Sequence, residues 1–438
     1  MTSGSQRTDD THRKSTGPWS WLGDLSRVAR LTVRREFVAT IPLTALYAVT
    51  GMGFCGFVGR KALGMPDELL AALMASNFLG LLLAGPLIGF FHRVRKVRAL
   101  SRILFVISLL LITVVFTPRL GTWAPYLFLL QIFLAQTGVA LTVPLRATIW
   151  RVNYPTLHRG KILVIISLCI TLGVSAIIFL YTSAMDYLGL DYQYIYGISG
   201  VGGIAAAILF RRVRIRHERR TLRQAKGESK QMALLAGLGV LRTDRRFRHY
   251  MSWQMVNGFA TLMIETVLVV ILADTFESNW MEGGSALTAV PFLANGIAVL
   301  FWARFYDRYD IFTIRFYAAM GWALSRAVLI VGVWQGSIAI VLLSRLVSGA
   351  AMGGGQMAWR LGHMAFAPKE KDALYMGAHV SLTGLRGMLA PIVGLYLYRV
   401  MGANGGLWLI AISMTVQVVA AFGFRTMRTK FANEQNEG

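Results

Sequence analysis

The chain has 438 residues, of which 55% are apolar and 15% are charged, whereas a soluble globular protein carries about 25% charged residues. This apolar excess excludes a single soluble domain, and the formal net charge of +24 has to be explained together with it. Each crossing of a bilayer needs about 20 apolar residues, so the chain has room for about twelve membrane-spanning helices. Membrane β-barrels are excluded because their strands alternate between polar and apolar residues, while runs such as residues 162–181 are continuously apolar.

The N-terminal segment 1–36 is predicted to be a polar cytoplasmic tail that carries a short interfacial helix. Within residues 19–33, Trp19, Leu22 and Leu25 recur at helical spacing, with arginines between the later apolar positions. This pattern is typical of a helix that lies on the membrane surface.

Twelve apolar runs follow and predict an all-α membrane fold of two six-helix bundles. The N-terminal bundle covers residues 37–210, the basic cytoplasmic linker covers 211–249, the C-terminal bundle covers 250–424, and residues 425–438 form a cytoplasmic tail. The individual spans are 37–57, 68–91, 100–117, 124–150, 162–184 and 194–210 in the first half, and 250–273, 285–303, 312–333, 336–358, 375–398 and 405–424 in the second.

Landmarks that recur at one separation indicate an internal duplication. Pro155 follows span four and Pro368 follows span ten, 213 residues later, and Gly189 and Gly402 have the same separation. The alternative is that any regular twelve-helix chain shows some coincident loops, but the shared offset favours a duplication. Two parallel six-helix repeats are the build of one large class of transporters.

The distribution of positive charge predicts that both chain ends and the linker are cytoplasmic. Only Arg60, Lys61, Arg119 and Arg399 fall in loops assigned to the opposite side, and Lys and Arg near helix ends are retained in the cytoplasm. The basic balance is therefore interpreted as the topology signal of a multi-pass inner-membrane protein and not as a sign of nucleic-acid binding. The linker is also a candidate site for anionic lipid headgroups.

Two short motifs carry a family resemblance. Residues 303–308, after span eight, read Ala-Arg-Phe-Tyr-Asp-Arg, and residues 89–93, after span two, read Gly-Phe-Phe-His-Arg. Residues 345–349 in span ten read Arg-Leu-Val-Ser-Gly, whereas span four has Leu134 and Gly138 at the same places. Together with the two halves and the central linker, these strings resemble the major facilitator superfamily.

The resemblance implies secondary transport by alternating access, with the site between the two halves. It makes His92, Arg93, Asp307 and Arg308 candidate gating-loop residues. His92 stands where the family has an acid, so the usual charge pair of the first half is altered.

Four charged side chains lie well inside the predicted spans of the second half: Glu265, Arg326, Arg345 and Arg386. A charge at the bilayer centre costs at least about 2.5 kcal/mol, so it is retained only when it is paired, hydrated or used. Glu265 and Arg345 lie at nearly the same depth below the outer ends of spans seven and ten, at 1.5 Å per residue. We therefore predict that these two side chains face each other at the cavity wall.

Two interpretations of this pair stay open at the level of sequence. It is either a proton or substrate site, or a structural ion pair that fixes helix packing. Arg386 is a second candidate for an anionic group, because a guanidinium can bind a carboxylate or phosphate bidentately. Arg326, in a span predicted to be peripheral, is expected to pair with a backbone carbonyl or a lipid headgroup.

Three amide side chains, Asn257, Gln356 and Gln131, complete the candidate site residues. A single amide in a membrane helix is more often a helix–helix hydrogen bond than a ligand contact. Each is therefore a candidate for lining the cavity, with helix bracing as the commoner alternative.

The preferred interpretation is a secondary active transporter that moves a small solute, with Glu265 as a candidate proton-coupling residue. The alternative is a non-transporting scaffold or sensor subunit of the same fold, which the altered motifs of the first half favour. No enzyme is expected, since no catalytic constellation or phosphate-binding loop is present. No cofactor or metal is predicted, and the protein is expected to be a monomer.

Overall fold

The computed structural model describes residues 25–87, 94–215, 239–368 and 371–436, and these segments are almost entirely helical. The N-terminal half contains α1 (Arg27–Thr50), α2 (Met52–Lys61), α3 (Asp67–Leu87), α4 (Lys96–Thr113), α5 (Ala124–Asn153), α6 (Thr156–Tyr187) and α7 (Tyr192–Arg211). The C-terminal half contains α8 (Arg245–Val270), α9 (Trp280–Gly284), α10 (Val290–Tyr306), α11 (Ile311–Trp334), α12 (Ile338–Leu361), α13 (Asp372–Val400) and α14 (Gly405–Asn436). Each of the twelve predicted spans falls on one of these helices or on a joined pair.

Two of the spans are assembled from shorter helices. α1 and α2 bend by 46° at Gly51 and together make one crossing. α9 continues into α10 through a π-helical turn at Ser285–Ala289. When the bent pair is taken as one span, the described residues contain twelve helices that are long and apolar enough to cross a membrane. The predicted all-α membrane fold is confirmed.

The two halves repeat one packing scheme, as the duplication predicts. The third helix of each half packs along the sixth, as α4 on α7 and α11 on α14, and the second packs along the fourth, as α3 on α5 and α10 on α12. The first helix of each half packs on the fifth and sixth, so α8 repeats the place of α1. Apolar cores fill each bundle, with Leu46 and Phe128 fully buried in the first and Val267 and Leu329 in the second.

The N-terminal prediction is wrong in one respect. α1 begins at Arg27 and runs unbroken to Thr50, so residues 27–33 belong to the first spanning helix and not to a separate interfacial helix. Ser26 caps this helix by accepting a hydrogen bond from the backbone N–H of Ala29 at 3.3 Å. The start of this helix was missed in the sequence because its first turns carry charged residues and the apolar run begins ten residues later. Residues 19–24 and the linker residues 216–238 lie outside the described residues, and the predicted domain boundaries stay predictions.

The polar contacts between the bundles are concentrated on one side. We call the side on which α1 begins and α14 ends the terminal side, and the other the distal side. Among the described residues, hydrogen bonds and ion pairs that join the two halves run from mid-membrane to the distal ends of the helices. α3 packs along α13, and α6 packs on α9 and α10, to form this junction.

Candidate functional site

Glu265 and Arg345 meet inside the C-terminal bundle, and their predicted contact is present. Arg345 on α12 donates from Nη1 to Oε1 of Glu265 at 2.9 Å and from Nη2 to Oε2 at 2.7 Å. The Arg345 side chain is 3% exposed and that of Glu265 is 19% exposed. This parallel pair of charge-assisted hydrogen bonds is the strongest arrangement available to a guanidinium and a carboxylate.

Arg326 joins the same carboxylate, so its expected pairing with a backbone carbonyl or a lipid headgroup is wrong. From α11 it donates from Nη2 to Oε1 of Glu265 at 3.2 Å, and its side chain is fully buried. The guanidinium lies 5.4 Å from the ring of Trp322, which provides a cation–π contact. α11 directs this arginine into the bundle, a rotation that an apolar span does not reveal.

The three residues form a cluster with an excess of positive charge. One carboxylate faces two guanidiniums, and Nε and Nη1 of Arg326 are buried without a hydrogen-bond partner. Buried donors without partners are costly. The cluster therefore has hydrogen-bonding capacity left for an anionic or strongly polar group.

A π-helical turn links this cluster to the other bundle. Nε of Arg345 donates to the backbone oxygen of Ala286 at 2.8 Å, and the hydroxyl of Ser175 on α6 donates to the backbone oxygen of Ala289 at 2.7 Å. Both acceptors belong to the π turn, whose extra residue breaks the usual backbone hydrogen-bond register, a feature frequent at functional sites. A shift of α6 against α10 therefore acts on the turn that holds Arg345.

Arg386 does not belong to the Glu265 cluster. It is 8% exposed and donates from Nη1 to the backbone oxygen of Gln254 on α8 at 2.6 Å. Gln254 and Glu265 are eleven residues apart on α8, which places the two arginine sites about 16 Å apart along the membrane normal. The second half thus contains two separate buried cationic sites.

The three amide candidates occupy different surroundings. Gln131 is buried in the N-terminal bundle, accepts from Thr117 at 2.9 Å and donates to Thr113 at 3.0 Å, so it braces helices. Asn257 on α8 is half-buried, and its Oδ1 has no hydrogen-bond partner. Gln356 is half-buried on α12. Asn257 and Gln356 remain candidates for lining a path, whereas the contacts of Gln131 favour the bracing alternative.

The candidate gating loops are seen only in part. Asp307 and Arg308 lie exposed at the terminal end of α10. His92 and Arg93 lie outside the described residues. The role of this loop pair therefore stays a prediction.

A second buried acid, Glu36, escaped the sequence prediction because the first span was drawn one residue too late. Its carboxylate accepts hydrogen bonds from Arg146 at 2.7 Å, from the indole of Trp150 at 2.8 Å and from the hydroxyl of Tyr154 at 2.5 Å. Glu36 is 2% exposed and Arg146 is 4% exposed. The sequence signal for this site was a single acidic residue among the basic residues at the start of α1. The side chains that donate hydrogen bonds to the Glu36 carboxylate all come from α5 or from Tyr154, which directly follows α5.

A distal ion-pair network also escaped the prediction. Arg60 bridges Asp274 and Asp67, and Arg399 bridges Asp67 and Glu68. Lys61 donates to the backbone oxygen of Ser278, while Asp186 accepts from the backbone N–H of Trp280 at 3.0 Å. Three of the four basic residues assigned by sequence to outer loops are therefore contacts between the bundles.

Two six-helix bundles that close on one side around buried charges define a polytopic membrane transporter. A family model described as Major Facilitator Superfamily matches residues 37–290, and the chain belongs to this family. The fold and the family are those of a transporter and not of an enzyme.

Solved structures agree on the fold at low sequence identity. The nucleoside transporter NupG is 16% identical with a TM-score of 0.69, over 90% of this chain and 98% of that one. The xylose transporter XylE from E. coli, in an inward-open conformation, is 14% identical with a TM-score of 0.66, over 91% of this chain and 96% of that one. A search of curated proteins finds no match to this sequence.

Proposed function

We propose that this protein is a secondary active transporter that moves a small solute across the inner membrane by alternating access. The observation that carries the proposal is the one-sided junction between the bundles. Polar contacts tie the distal halves together, whereas no described hydrogen bond or ion pair joins the bundles at the terminal ends of their helices. Such an asymmetry is expected of a carrier that rocks about a central site.

The proposed orientation places the terminal side in the cytoplasm. The described terminal ends are rich in arginine, including Arg98, Arg102, Arg211 and Arg425, as the retention of positive charge in the cytoplasm requires. On this orientation the polar junction between the bundles lies on the outer side of the membrane.

Glu265 is the proposed coupling residue. Its carboxylate has two arginine partners and 19% residual exposure. A proton that arrives there competes with Arg345 for the carboxylate oxygens, and a solute anion competes with the carboxylate for Arg345. Loss of that contact would release the π turn at Ala286 and thereby the α6–α10 junction. Binding and bundle movement are coupled in this scheme because both act on one arginine.

Anionic lipids are the proposed partners of the basic terminal surface. Arg98, Ser101, Arg102 and Arg211 line a cavity of about 330 Å³ between the ends of α4 and α7. Above it, exposed apolar residues such as Phe105 and Leu109 form a face suited to acyl chains. Replacement of the three arginines by Gln should remove stabilisation of the purified protein by phosphatidylglycerol relative to phosphatidylcholine. Arg119→Gln, at the distal side, is the matched control.

The transport proposal is tested by a thermal-stability screen of purified protein against small metabolites, followed by uptake of each hit into proteoliposomes. A ligand at about 100 times its dissociation constant should stabilise the folded state by about 2.7 kcal/mol. Uptake that needs a proton gradient in the native protein but not in Glu265→Gln would support coupling through Glu265. Gradient-dependent uptake by both would remove Glu265 from that role.

The scaffold or sensor alternative makes the opposite prediction. It expects ligand stabilisation to be absent, or present without uptake into proteoliposomes. The altered first-half motif at Leu134 is the observation that favours it. Uptake of any hit above that of empty liposomes would exclude it.

A further inference from the structure

A second group of buried basic side chains lies near the terminal side of the C-terminal bundle. Arg315 on α11 is 4% exposed, His379 on α13 is 0% exposed, and Arg386 on α13 is 8% exposed. His379 and Arg386 are seven residues apart, which puts them on the same face of α13. This cluster differs from the Glu265 site in both its position and its hydrogen-bond partners.

Hydrogen bonds attach the two guanidiniums to residues of α8 that are about one helical turn apart. Arg315 donates from Nε to the hydroxyl of Tyr250 at 3.0 Å, and Arg386 donates from Nη1 to the backbone oxygen of Gln254 at 2.6 Å. Tyr250 and Gln254 are successive positions on one face of α8, about 6 Å apart along its axis. Gly258, one turn further, leaves room for the Arg386 guanidinium, which an added Cβ would approach to 2.1 Å.

Several donors of this cluster point at no acceptor. Nη2 of Arg315, Nε of Arg386 and both ring nitrogens of His379 are buried without a hydrogen-bond partner. In native proteins buried polar groups almost always have a hydrogen-bond partner, so a group of unpartnered nitrogens indicates a ligand site. The unpartnered atoms come from two helices and have chemistry that suits one oxyanion.

No carboxylate balances these charges within the described residues. Asp372, at the start of the same helix as His379, pairs instead with His363 at 3.1 Å and is 43% exposed. His379 instead contacts the ring of Trp359, with centroids 5.2 Å apart, and Arg315, Arg386 and His363 are the charged groups around it. Two buried like charges without a counter-charge are costly, and a bound anion would remove that cost.

We propose that Arg315, His379 and Arg386 form a binding site for an oxyanion group, a phosphate or a carboxylate, carried by a small solute. The inference deepens the proposed transport function, because it assigns the solute to the anionic class. Arg386 would donate from its free Nε, Arg315 from its free Nη2, and His379 from one ring nitrogen. The site lies nearer the terminal side than the Glu265 cluster does, away from the distal junction.

The test measures binding in neutral detergent and does not depend on transport. Thermal midpoints of the delipidated protein are recorded against inorganic phosphate and against citrate, with sodium chloride at equal ionic strength as the reference. We expect saturable stabilisation by at least one of the two anions. Arg386→Gln should weaken the apparent affinity about 10- to 100-fold, as expected for one hydrogen bond between charged groups.

Matched variants separate this site from other arginines. Arg425→Gln, at the exposed terminal end of α14, should keep the native affinity. Arg386→Lys should restore part of it, and Arg315→Gln is the second loss variant if Arg386→Gln does not fold. Stabilisation that is absent, or equal in Arg386→Gln and the native protein, would overturn the proposal, as would stabilisation by phosphatidylglycerol alone. Retained binding without uptake of the anion would count against transport while leaving the site intact.

Discussion

In each bundle, a carboxylate on the first span is held by an arginine from the fourth span of the same half. Glu36 contacts Arg146 on α5, and Glu265 contacts Arg345 on α12. The two pairs lie at different depths, because Glu36 is near the terminal start of α1 whereas Glu265 is near the distal end of α8. Their surroundings also differ. The side chains that contact Glu36 have their buried hydrogen-bonding atoms paired with Glu36 or with aromatic side chains. In the Glu265 cluster, by contrast, two donors of Arg326 have no hydrogen-bond partner.

Glu36 is therefore predicted to be a structural brace. Glu36→Ala should destabilise the protein by about 3–5 kcal/mol, because it leaves Arg146 buried without a counter-charge. The double variant Glu36→Leu with Arg146→Met removes both charges and should recover most of that loss. Thermal unfolding of the three proteins in detergent measures the effect. Equal stability of the single and double variants would contradict this explanation.

The Glu265 cluster should respond differently to the same treatment. Glu265→Gln removes the carboxylate that holds two guanidiniums, so it should lower stability and also change the response to pH of whatever uptake the protein shows. Arg326→Met should affect stability more than uptake, since Arg326 makes one long contact of 3.2 Å with Glu265. Paired measurements of thermal midpoint and uptake distinguish these effects. Unchanged pH dependence in Glu265→Gln would leave the cluster with a structural role alone.

At the scale of helices, the Arg-x-x-x-Gly motif of α12 has two physical functions. Arg345 reaches Glu265, and one turn later Gly349 lets α12 approach α10 so closely that an added Cβ would lie 2.3 Å from the backbone oxygen of Pro291. At the corresponding place in the first half, a Cβ on Gly138 would lie 2.7 Å from the side chain of Ile107. A side chain can rotate away, whereas a helix backbone has to move.

Gly349→Ala should therefore destabilise the protein more than Gly138→Ala. We expect a loss of about 1–3 kcal/mol for the first, as for other overpacked cores, and a smaller loss for the second. Gly160→Ala, whose added Cβ would meet nothing within 4 Å, is the control for the replacement itself. The measurement is the thermal midpoint of each variant. Equal losses of stability at Gly349 and Gly138 would show that the backbone of α10 moves away from an added Cβ as easily as the side chain of Ile107 does.

The sequence alone predicted the helices and the contact between Glu265 and Arg345. The physical reasons for these successes also explain why other contacts were missed. Apolar runs located the spans because bilayer thickness sets their length, and equal depth brought Glu265 to Arg345. Helix rotation is not encoded in an apolar run, so the inward direction of Arg326 was missed. Glu36 was missed because a helix can extend beyond its apolar run. The ion pairs of the distal network that join the two halves link residues more than 200 positions apart in sequence, and only the docking of the bundles brings them together.

At the scale of the whole molecule, the proposed alternating access gives the distal network the role of holding one side closed. Arg60 and Asp67 belong to the N-terminal half, and Asp274 and Arg399 belong to the C-terminal half. The pairs are partly exposed, with Arg399 51% exposed, so solvent screens each of them and a single pair stabilises the junction only slightly. Two or three such contacts suffice to shift an equilibrium between two conformations of similar free energy about tenfold.

Loss of these contacts should therefore open the distal side without unfolding the protein. In a background without Cys55 and Cys169, Ser278→Cys reports on this junction, because Ser278 is 1% exposed and its backbone oxygen accepts from Lys61. Arg60→Gln with Arg399→Gln should raise the labelling rate by a membrane-impermeant maleimide several-fold, and high salt should act in the same direction because it screens exposed pairs. Arg119→Gln is the control, since Arg119 is a distal arginine whose described contact is with the ring of Phe116. Unchanged labelling in the double variant, with the thermal midpoint preserved, would mean that packing of α3 on α13 and of α6 on α10 holds the distal side closed without help from the charges.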